Sequence, residues 1–301
     1  MTRPAILVIG HLPDTLADPL RARFDVYEGE AGAPLDRIRG LVGGGSMRVD
    51  AALLDRLPQL EIVAVHGVGH DVIDALSLRA RGIALAITTG VLTEDVADLA
   101  IGLWLALDRR IAANHRVVCD GGWPVPLSRR ASGRRVGIVG LGTIGRAIAA
   151  RAAPFAAELL YTGRSAKPDV PWRFVPDLGD LAAGCDVLFL AASAGPETSG
   201  MIDAAALAAL GAEGVLVNVA RGALVDQPAL IAALEAGRIA GAALDVFADE
   251  PRVPDGLRRD NVVLSPHQGS ATVEARRAMA AMVVANLAAR FAGEEPPGLV
   301  R

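Results

Sequence analysis

The stretch that decides the fold is residues 135–148, RVGIVGLGTIGRAI, in which a β-branched run leads into the pattern G-x-G-x-x-G. In this motif Gly140 makes a tight turn, Gly142 lets a pyrophosphate approach the backbone, and Gly145 lets the following helix pack closely on the strand. The N–H groups and the positive dipole end at the start of that helix then hold the anion. A second predicted strand, Glu158–Tyr161, completes a β-α-β unit. The stretch therefore predicts a dinucleotide-binding domain, with a glycine-rich turn that binds no ligand as the alternative.

The residues after the second strand distinguish the two dinucleotides. An NAD site places Asp or Glu there to accept from the ribose 2′-OH, whereas an NADP site places Arg there to bind the 2′-phosphate. This chain has Arg164, Ser165 and Lys167 at that point, and its first acid is Asp169. A carboxylate repels the phosphate, whereas a guanidinium binds it bidentately. We therefore expect NADP(H) to be preferred over NAD(H); the alternative is that Arg164 is an ordinary solvated loop charge.

Short β-branched runs alternate with Ala- and Leu-rich helical stretches along the whole chain of 301 residues, which is too long for one average domain. This pattern predicts an α/β fold with two Rossmann-like domains, each a parallel sheet flanked by helices, and an active-site cleft between them. We expect residues 1–92 and 270–301 to form an outer, substrate-binding domain. Residues 93–269 are expected to form the inner, dinucleotide-binding domain.

The predicted elements follow hydrophobic periodicity and capping residues. The strands are Ala5–Ile9, Gly40–Val42, Ile62–Val65, Ala84–Ile87, Arg135–Val139, Glu158–Tyr161, Asp186–Leu190, Gly214–Val217, Gly241–Leu244 and Asn261–Leu264. The helices outside the G-x-G-x-x-G unit are Thr15–Arg23, Asp50–Asp55, Asp71–Ala80 with Asp71 as N-cap, Thr93–Val118 with Thr93 as N-cap, and Thr272–Phe291.

Composition excludes several classes of function. Hydrophobic residues make up 52% of the chain and charged residues 21%, which argues against disorder. The net charge of −4, with both signs interspersed, gives no basic footprint for nucleic acid or an anionic membrane. The longest helical apolar stretch, Val96–Leu107, is too short to span a bilayer. Cys119 and Cys185 form no CxxC pair, and without a secretory signal they indicate reduced thiols in a cytoplasmic protein. We expect no metal site.

Three further segments place chemically active side chains at the carboxyl ends of predicted parallel strands, where open α/β sheets bind ligands. Residues 217–226, VNVARGALVD, carry Arg221; residues 243–251, ALDVFADEP, carry Asp245 and Glu250; and residues 264–272, LSPHQGSAT, carry His267. An isolated His after a strand is often structural. Together, however, an arginine, a carboxylate and a histidine are the groups needed to reduce a carbonyl next to a carboxylate.

At these motifs the chain resembles the D-2-hydroxyacid dehydrogenases, and it is most similar to their glyoxylate/hydroxypyruvate reductase branch. The resemblance covers nearly the whole chain in the correct order: Gly67-Val-Gly-His-Asp71 with Asp74, residues 90–100 (GVLTEDVADLA), the GLGTIG turn, Pro196-Glu-Thr198, the ARG segment, DVFADEP and SPHQGSAT. His70 stands where many relatives carry an aromatic residue.

The resemblance implies a role for each of these residues. It implies that His267 gives a proton to the substrate carbonyl oxygen, that Glu250 orients the imidazole and favours its charged form, and that Arg221 binds the 2-oxo acid and polarises its carbonyl. The N–H groups of Val68 and Gly69 are implied to bind the substrate carboxylate, and Asp245 to accept from the nicotinamide carboxamide. The predicted cofactor site comprises Gly140, Leu141, Gly142, Thr143, Ile144, Gly145, Arg164, Ser165, Lys167, Ala220, Asp245 and Gly269.

The resemblance also implies a homodimer joined through the inner domains, with a small 2-oxo or 2-hydroxy acid as substrate. Two placements are open for Met47: its side chain faces the substrate side chain, or it lies elsewhere. Two are also open for Trp123, which either lines the site or lies at the dimer contact. Two alternative functions stay open: a dinucleotide-sensing binding protein of the co-repressor type, and a dehydrogenase of another small anion such as phosphite. A formate dehydrogenase is disfavoured because that type resembles this pattern but carries Gln where this chain has Glu250.

Overall fold

The computed structural model describes residues 3–301, and the chain divides into two compact units. Unit 1 comprises the chain up to Leu92 together with Ala271–Arg301, and unit 2 comprises Thr93–Ser270. The chain crosses from one unit to the other after Leu92 and after Ser270, one residue from the second boundary expected from the sequence.

Unit 1 is a five-stranded parallel sheet covered by helices on both faces, with strand order β2-β1-β3-β4-β5. Its elements, numbered along the whole chain, are β1 Ala5–Ile9, α1 Asp14–Arg21, β2 Asp25–Glu28, β3 Ile38–Gly43, α2 Ala51–Asp55, β4 Ile62–Val65, α3 Ala75–Ala80, β5 Ala84–Ala86 and α10 Val273–Phe291.

Alternation along the strands of unit 1 sends successive side chains to opposite faces of the sheet. In β4, Val63 and Val65 pack with the core that contains α2 and α3, whereas Ile62 and Ala64 pack with α1 and α10. Both faces are therefore buried, which explains why these strands are continuous apolar runs in the sequence.

Unit 2 is a seven-stranded parallel sheet with strand order β12-β11-β10-β9-β6-β7-β8. Its elements are α4 Thr93–Asp108, α5 Ile111–Cys119, β6 Arg134–Val139, α6 Thr143–Ala152, β7 Ala156–Thr162, β8 Arg173–Phe174, α7 Leu178–Gly184, β9 Val187–Leu190, α8 Ala204–Leu210, β10 Val215–Asn218, α9 Gln227–Glu235, β11 Gly241–Leu244 and β12 Val262–Leu264.

The strand order of unit 2 reverses between β6 and β9, which is where a doubly wound sheet opens a crevice for a ligand. The turn after β6 and the loops after β9, β10 and β11 all leave the same edge of the sheet, because parallel strands share one direction. The predicted site residues that follow these strands of unit 2 therefore lie along this edge of the sheet. The α/β class with two parallel sheets flanked by helices is as expected.

Three local predictions were wrong. The single helix expected over Thr93–Val118 is two helices, because Arg110 lies in the left-handed region at φ 53° and interrupts it. Thr93 is the first helical residue rather than the N-cap. The N-cap of α3 is Asp74, which accepts from Ser77 N–H at 3.0 Å, and not Asp71. The edge strands β2 and β8 were also missed.

Both cysteines are free thiols, Cys119 exposed and Cys185 buried. Within residues 3–301, no helix combines the length and apolar character that crossing a membrane requires.

Candidate active site

The G-x-G-x-x-G turn leaves no room for side chains at two of its glycines. At φ 92°, Gly140 lies in the left-handed region, and a Cβ there would come within 2.7 Å of the backbone of Ala192. A Cβ on Gly145 would lie 2.0 Å from the carbonyl oxygen of Gly140, so this glycine lets α6 pack directly on the turn. Any larger residue at either position would displace the backbone.

Gly142 differs, because a Cβ there would meet nothing within 4 Å. It is the N-cap of α6, and no side chain caps the helix. The first turn of α6 therefore presents backbone N–H groups and the positive end of its dipole to open space, as a bound pyrophosphate requires. The turn of this chain fits the dinucleotide that the sequence predicts.

The loop after β7 carries the residues that were predicted to select the dinucleotide. Arg164 and Ser165 are exposed and directly follow Gly163, and Lys167 is partly exposed. The main-chain N–H of Lys167 donates to the buried Tyr161 hydroxyl at 2.6 Å, so the loop is fixed to the end of β7. Asp169, the first acid of this loop, is held by Arg146 of α6 through two hydrogen bonds of 2.8 and 3.0 Å. That pairing holds the pKa of Asp169 below its ordinary value.

His267 and Glu250 form a hydrogen-bonded pair. Nδ1 of His267 lies 2.7 Å from Oε2 of Glu250, and the other carboxylate oxygen accepts from Phe247 N–H at 3.0 Å. The hydrogen bond to Glu250 raises the pKa of His267 above 6.5, against the opposing effect of burial. Burial raises the pKa of Glu250, but the hydrogen bonds from His267 and Phe247 outweigh it and hold this pKa below its ordinary value. Each member of the pair therefore favours the charged form of the other, imidazolium for His267 and carboxylate for Glu250.

The backbone turn that carries His267 is built around Asp245, a buried carboxylate at the end of β11. Its Oδ1 accepts from Ser265 Oγ at 2.6 Å and from Gln268 N–H at 2.7 Å, and its Oδ2 accepts from Gly269 N–H at 2.8 Å. The function of Asp245 in shaping this turn was not anticipated from the sequence. Its predicted contact with the nicotinamide stays a prediction.

Arg221 follows β10 and is positioned by a second buried polar residue, Asn218. The Asn218 amide donates to the Arg221 carbonyl at 2.9 Å and accepts from Ala220 N–H at 3.0 Å. The positive charge of Arg221 reaches both members of the pair, since it lowers the pKa of His267 and of Glu250. The three residues predicted as catalytic thus lie close together in unit 2. Sequence reasoning missed Asn218, although an Asn that ends a buried strand is a recognisable signal.

In unit 1, the loop after β4 contains Val68 and Gly69. A Cβ on Gly45 would lie 2.4 Å from the Gly69 carbonyl oxygen, so this glycine lets the loop after β3 and the loop after β4 pack backbone against backbone. His70 places Nδ1 3.2 Å from the Val68 carbonyl oxygen. The loop is thus held by its own backbone and by one short local contact.

For Met47 and Trp123 the sequence left two placements open, and the structure gives the surroundings of each side chain. Met47 is buried in the core of unit 1 beside Leu53 and Val65. Trp123 is 83% exposed, within a segment of unit 2 that also exposes Val125 and Leu127.

Unit 2 combines a turn shaped for a dinucleotide with an arginine and a carboxylate that is hydrogen-bonded to an imidazole and raises its pKa. These groups can bind an anionic substrate and donate a proton to its carbonyl oxygen, while a nicotinamide bound at the turn would supply a hydride to the carbonyl carbon, so the fold and the site define a nicotinamide-linked oxidoreductase.

Comparisons with known proteins agree with that class. Residues 101–269 match the model of the D-isomer specific 2-hydroxyacid dehydrogenase NAD binding domain. The chain is 45% identical over 298 residues to a 2-ketogluconate reductase of Gluconobacter oxydans (strain 621H), covering 96% of each chain. It is 49% identical over 261 residues to glyoxylate/hydroxypyruvate reductase A of Arabidopsis thaliana, covering 85% of this chain and 83% of the other.

One solved structure is similar over its full length. It is an NADPH-dependent glyoxylate/hydroxypyruvate reductase from Sinorhizobium meliloti in complex with NADP and malonate, with a TM-score of 0.92, 40% identity, and coverage of 99% of this chain and 97% of that chain. The chain belongs to the D-isomer specific 2-hydroxyacid dehydrogenase family. It is an NAD(P)-dependent 2-hydroxyacid oxidoreductase.

Proposed function

We propose that the protein reduces small 2-oxo acids such as glyoxylate and hydroxypyruvate to 2-hydroxy acids, with NADPH as the preferred reductant. The observation that carries the proposal is the hydrogen-bonded His267–Glu250 pair near Arg221, in the same unit as the dinucleotide turn. Relatives named as reductases of glyoxylate and hydroxypyruvate support the choice of substrate class.

The cofactor, when bound, supplies a hydride to the carbonyl carbon, and the residues of the chain supply everything else. The hydrogen bond to Glu250 uses Nδ1 of His267, so Nε2 holds the proton that goes to the carbonyl oxygen. Arg221 binds the substrate through its carboxylate and carbonyl oxygens and stabilises the charge that develops on the carbonyl. Glu250 keeps the imidazole charged before transfer and fixes its orientation. After transfer, His267 recovers its proton from solvent.

In unit 1, we assign the N–H groups of Val68 and Gly69 to the substrate carboxylate. The loop packs closely against the backbone at Gly45, and backbone N–H groups that are positioned before binding hold an anion with less loss of conformational entropy. We assign a further set of residues to the cofactor site: Leu141, Thr143, Ile144, Ala220, Asp245 and Gly269.

The preference for NADPH rests on the charges of the loop after β7. Asp169 is paired with Arg146, so the nearest carboxylate is neutralised by its own partner. Among residues 3–301, Arg164 makes no ion pair, which leaves its guanidinium for a 2′-phosphate, with Ser165 and Lys167 as further donors.

We also propose that two copies associate through unit 2. The segment that runs from α5 into the following loop exposes five large apolar side chains: Ile111, Val118, Trp123, Val125 and Leu127. Exposed apolar residues that cluster in this way are typical of a protein–protein interface. A reducing cytoplasmic environment fits the two free thiols.

The test is a steady-state assay of the purified protein with glyoxylate and hydroxypyruvate, using NADPH and NADH in turn. His267→Gln removes the acid at Nε2, and we expect kcat to fall roughly 100- to 10,000-fold while NADPH binds with unchanged affinity. A wild type that binds NADPH but reduces neither acid would favour a dinucleotide-sensing protein instead. Oxidation of phosphite in preference to reduction of 2-oxo acids would favour the alternative that the protein is a phosphite dehydrogenase.

A further inference from the structure

The start of α10 carries a half-buried arginine, Arg276, that is not neutralised. Among residues 3–301, its guanidinium makes no hydrogen bond and no ion pair. Burial alone lowers its pKa, and no acid contributes an opposing effect. It is also the fourth residue of the helix, close to the positive end of the helix dipole. Each of these features destabilises a cation.

The position of Arg276 follows from the packing of α10 in unit 1. Ala280, Val283 and Leu287 share its face of the helix at helical spacing, and they pack in the same core as Ile62 and Ala64 of β4. Along β4 and its continuation every second residue faces this core, so His66 follows Ile62 and Ala64. The charge of Arg276 lowers the pKa of His66. The guanidinium therefore lies near the end of β4, where the Val68–Gly69 loop begins.

This corner of unit 1 holds further polar groups that lack partners. Within the described residues, Nε2 of His66 and Oγ1 of Thr88 are buried without a hydrogen-bond partner. Thr88 is fully buried, and its N–H donates to the Gly67 carbonyl at 2.8 Å, which places it against the same loop. Burial and the Arg276 charge lower the pKa of His66 to about 4, so the imidazole is neutral at physiological pH and adds no second positive charge.

A purely structural role does not explain Arg276. A partly buried cation without an acid costs free energy, and an anionic ligand would offset that cost. No carboxylate contributes to the pKa of either His66 or Arg276, so the missing partner is an anion.

We infer that Arg276 is a substrate-binding residue, which pairs with the carboxylate that the Val68 and Gly69 N–H groups also bind. The inference rests on the proposed function, and it adds to that function a side-chain cation in unit 1. Because every 2-oxo acid has this carboxylate, Arg276 contributes to the binding of the whole substrate class rather than selecting one member.

The experiment compares Arg276→Gln with Arg277→Gln, a matched change at the exposed neighbouring residue of the same helix. For Arg276→Gln we expect KM to rise roughly 10- to 100-fold for glyoxylate and hydroxypyruvate alike, as loss of a charged hydrogen bond implies, with a smaller change in kcat. Arg276→Lys should recover part of the loss, and Arg277→Gln should leave KM unchanged. An unchanged KM for Arg276→Gln, or a rise confined to one substrate, would overturn the inference.

Thermal unfolding separates this role from a structural one and from the proposed function itself. Removing an unpaired cation should leave the melting temperature of Arg276→Gln equal to that of the wild type or higher, whereas a structural residue would lower it. Oxamate, an unreactive 2-oxo acid analogue, should raise the melting temperature of the NADP⁺-bound wild type and that of Arg277→Gln, but not that of Arg276→Gln. If oxamate gives this pattern of melting temperatures but the wild type reduces no 2-oxo acid, the assignment of Arg276 to anion binding stands and the proposed function is overturned. Equal stabilisation of all three proteins would overturn the inference.

Discussion

His267 occupies a backbone conformation that few residues other than glycine adopt, at φ 55°. Strain of this kind persists only where the surroundings fix it, and the three hydrogen bonds that the Asp245 carboxylate accepts fix the turn. This backbone strain occurs at His267, the residue to which we assign the proton transfer. At the residue scale, supporting groups shape the site: Asp245 fixes the turn, Asn218 positions the Arg221 backbone, and Glu250 raises the pKa of His267.

The role of Glu250 predicts how the rate depends on pH. The Glu250 hydrogen bond raises the pKa of His267, so the proton donor is present below that raised pKa and is lost as pH rises through it. In Glu250→Gln the carboxylate is gone, and the pKa of His267 should fall. We expect the alkaline limb of kcat for reduction to move to lower pH in this variant. The pH profiles of the two proteins with saturating NADPH and glyoxylate test this, and superimposable alkaline limbs would contradict it.

Arg164 carries the prediction of cofactor choice. Charge-assisted hydrogen bonds contribute about 1.5–3 kcal/mol each, so one or two correspond to roughly a 10- to 1,000-fold preference for NADPH in kcat/KM. Arg164→Asp should repel the 2′-phosphate and offer an acceptor to the NADH ribose. We expect most NADPH-linked activity to be lost and the relative use of NADH to increase, as measured by kcat/KM with each cofactor. Arg173→Asp, at an exposed arginine on the neighbouring strand β8, is the control. A wild type that uses NADH at least as well as NADPH would contradict the assignment.

At the scale of elements, buried parallel strands and the G-x-G-x-x-G turn are the features that the sequence specifies best. β4 and β11 begin and end at their predicted residues, because a strand buried on both faces is a continuous apolar run with polar or glycine neighbours. The edge strands β2 and β8 were missed because they are short and only partly buried, so they lack that signal. The break at Arg110 has no signal either, since neither Gly nor Pro marks it and tertiary packing imposes the left-handed conformation.

The C-terminal segment shows the same dependence on tertiary contacts. Asn286 of α10 is fully buried, accepts from Gly298 N–H at 2.8 Å and donates to the Ile87 carbonyl at 3.3 Å, which fixes the last residues of the chain against β5. Asn286→Leu leaves both backbone groups unpaired, and each should cost about 1–3 kcal/mol. We expect a lower urea midpoint for the unfolding of this variant than for the wild type. Equal midpoints for Asn286→Leu and the wild type would show that the contact contributes nothing.

At the scale of the whole molecule, the sequence marked three residues that the fold brings close together in unit 2: Arg221, Glu250 and His267. Each sits in a short motif after a strand, and its catalytic role stays a prediction. Asn218 had a recognisable signal, as an Asn that ends a buried strand and bonds to its own neighbours, but it was missed. The role of Asp245 in shaping the turn emerges only when the chain is folded, because its hydrogen bonds join residues that are 20 to 24 positions apart. The division into two units falls where a loop leads into the helix at Thr93 and where another leads into α10.

The last prediction concerns assembly. Leu127 is 98% exposed in the apolar segment that follows α5, whereas Leu76 is 77% exposed on α3 of unit 1, away from any comparable segment. If two copies associate through unit 2, a carboxylate at position 127 is desolvated without a partner in the dimer, and the dimer should dissociate. We therefore expect Leu127→Asp to sediment as a monomer at micromolar concentration, and Leu76→Asp to sediment as the wild-type dimer. The two leucines are matched in residue type and exposure, so a general effect of the added charge on solubility would appear in both. A wild type that is monomeric, or a Leu127→Asp variant that keeps the dimer mass, would contradict the assignment of this surface.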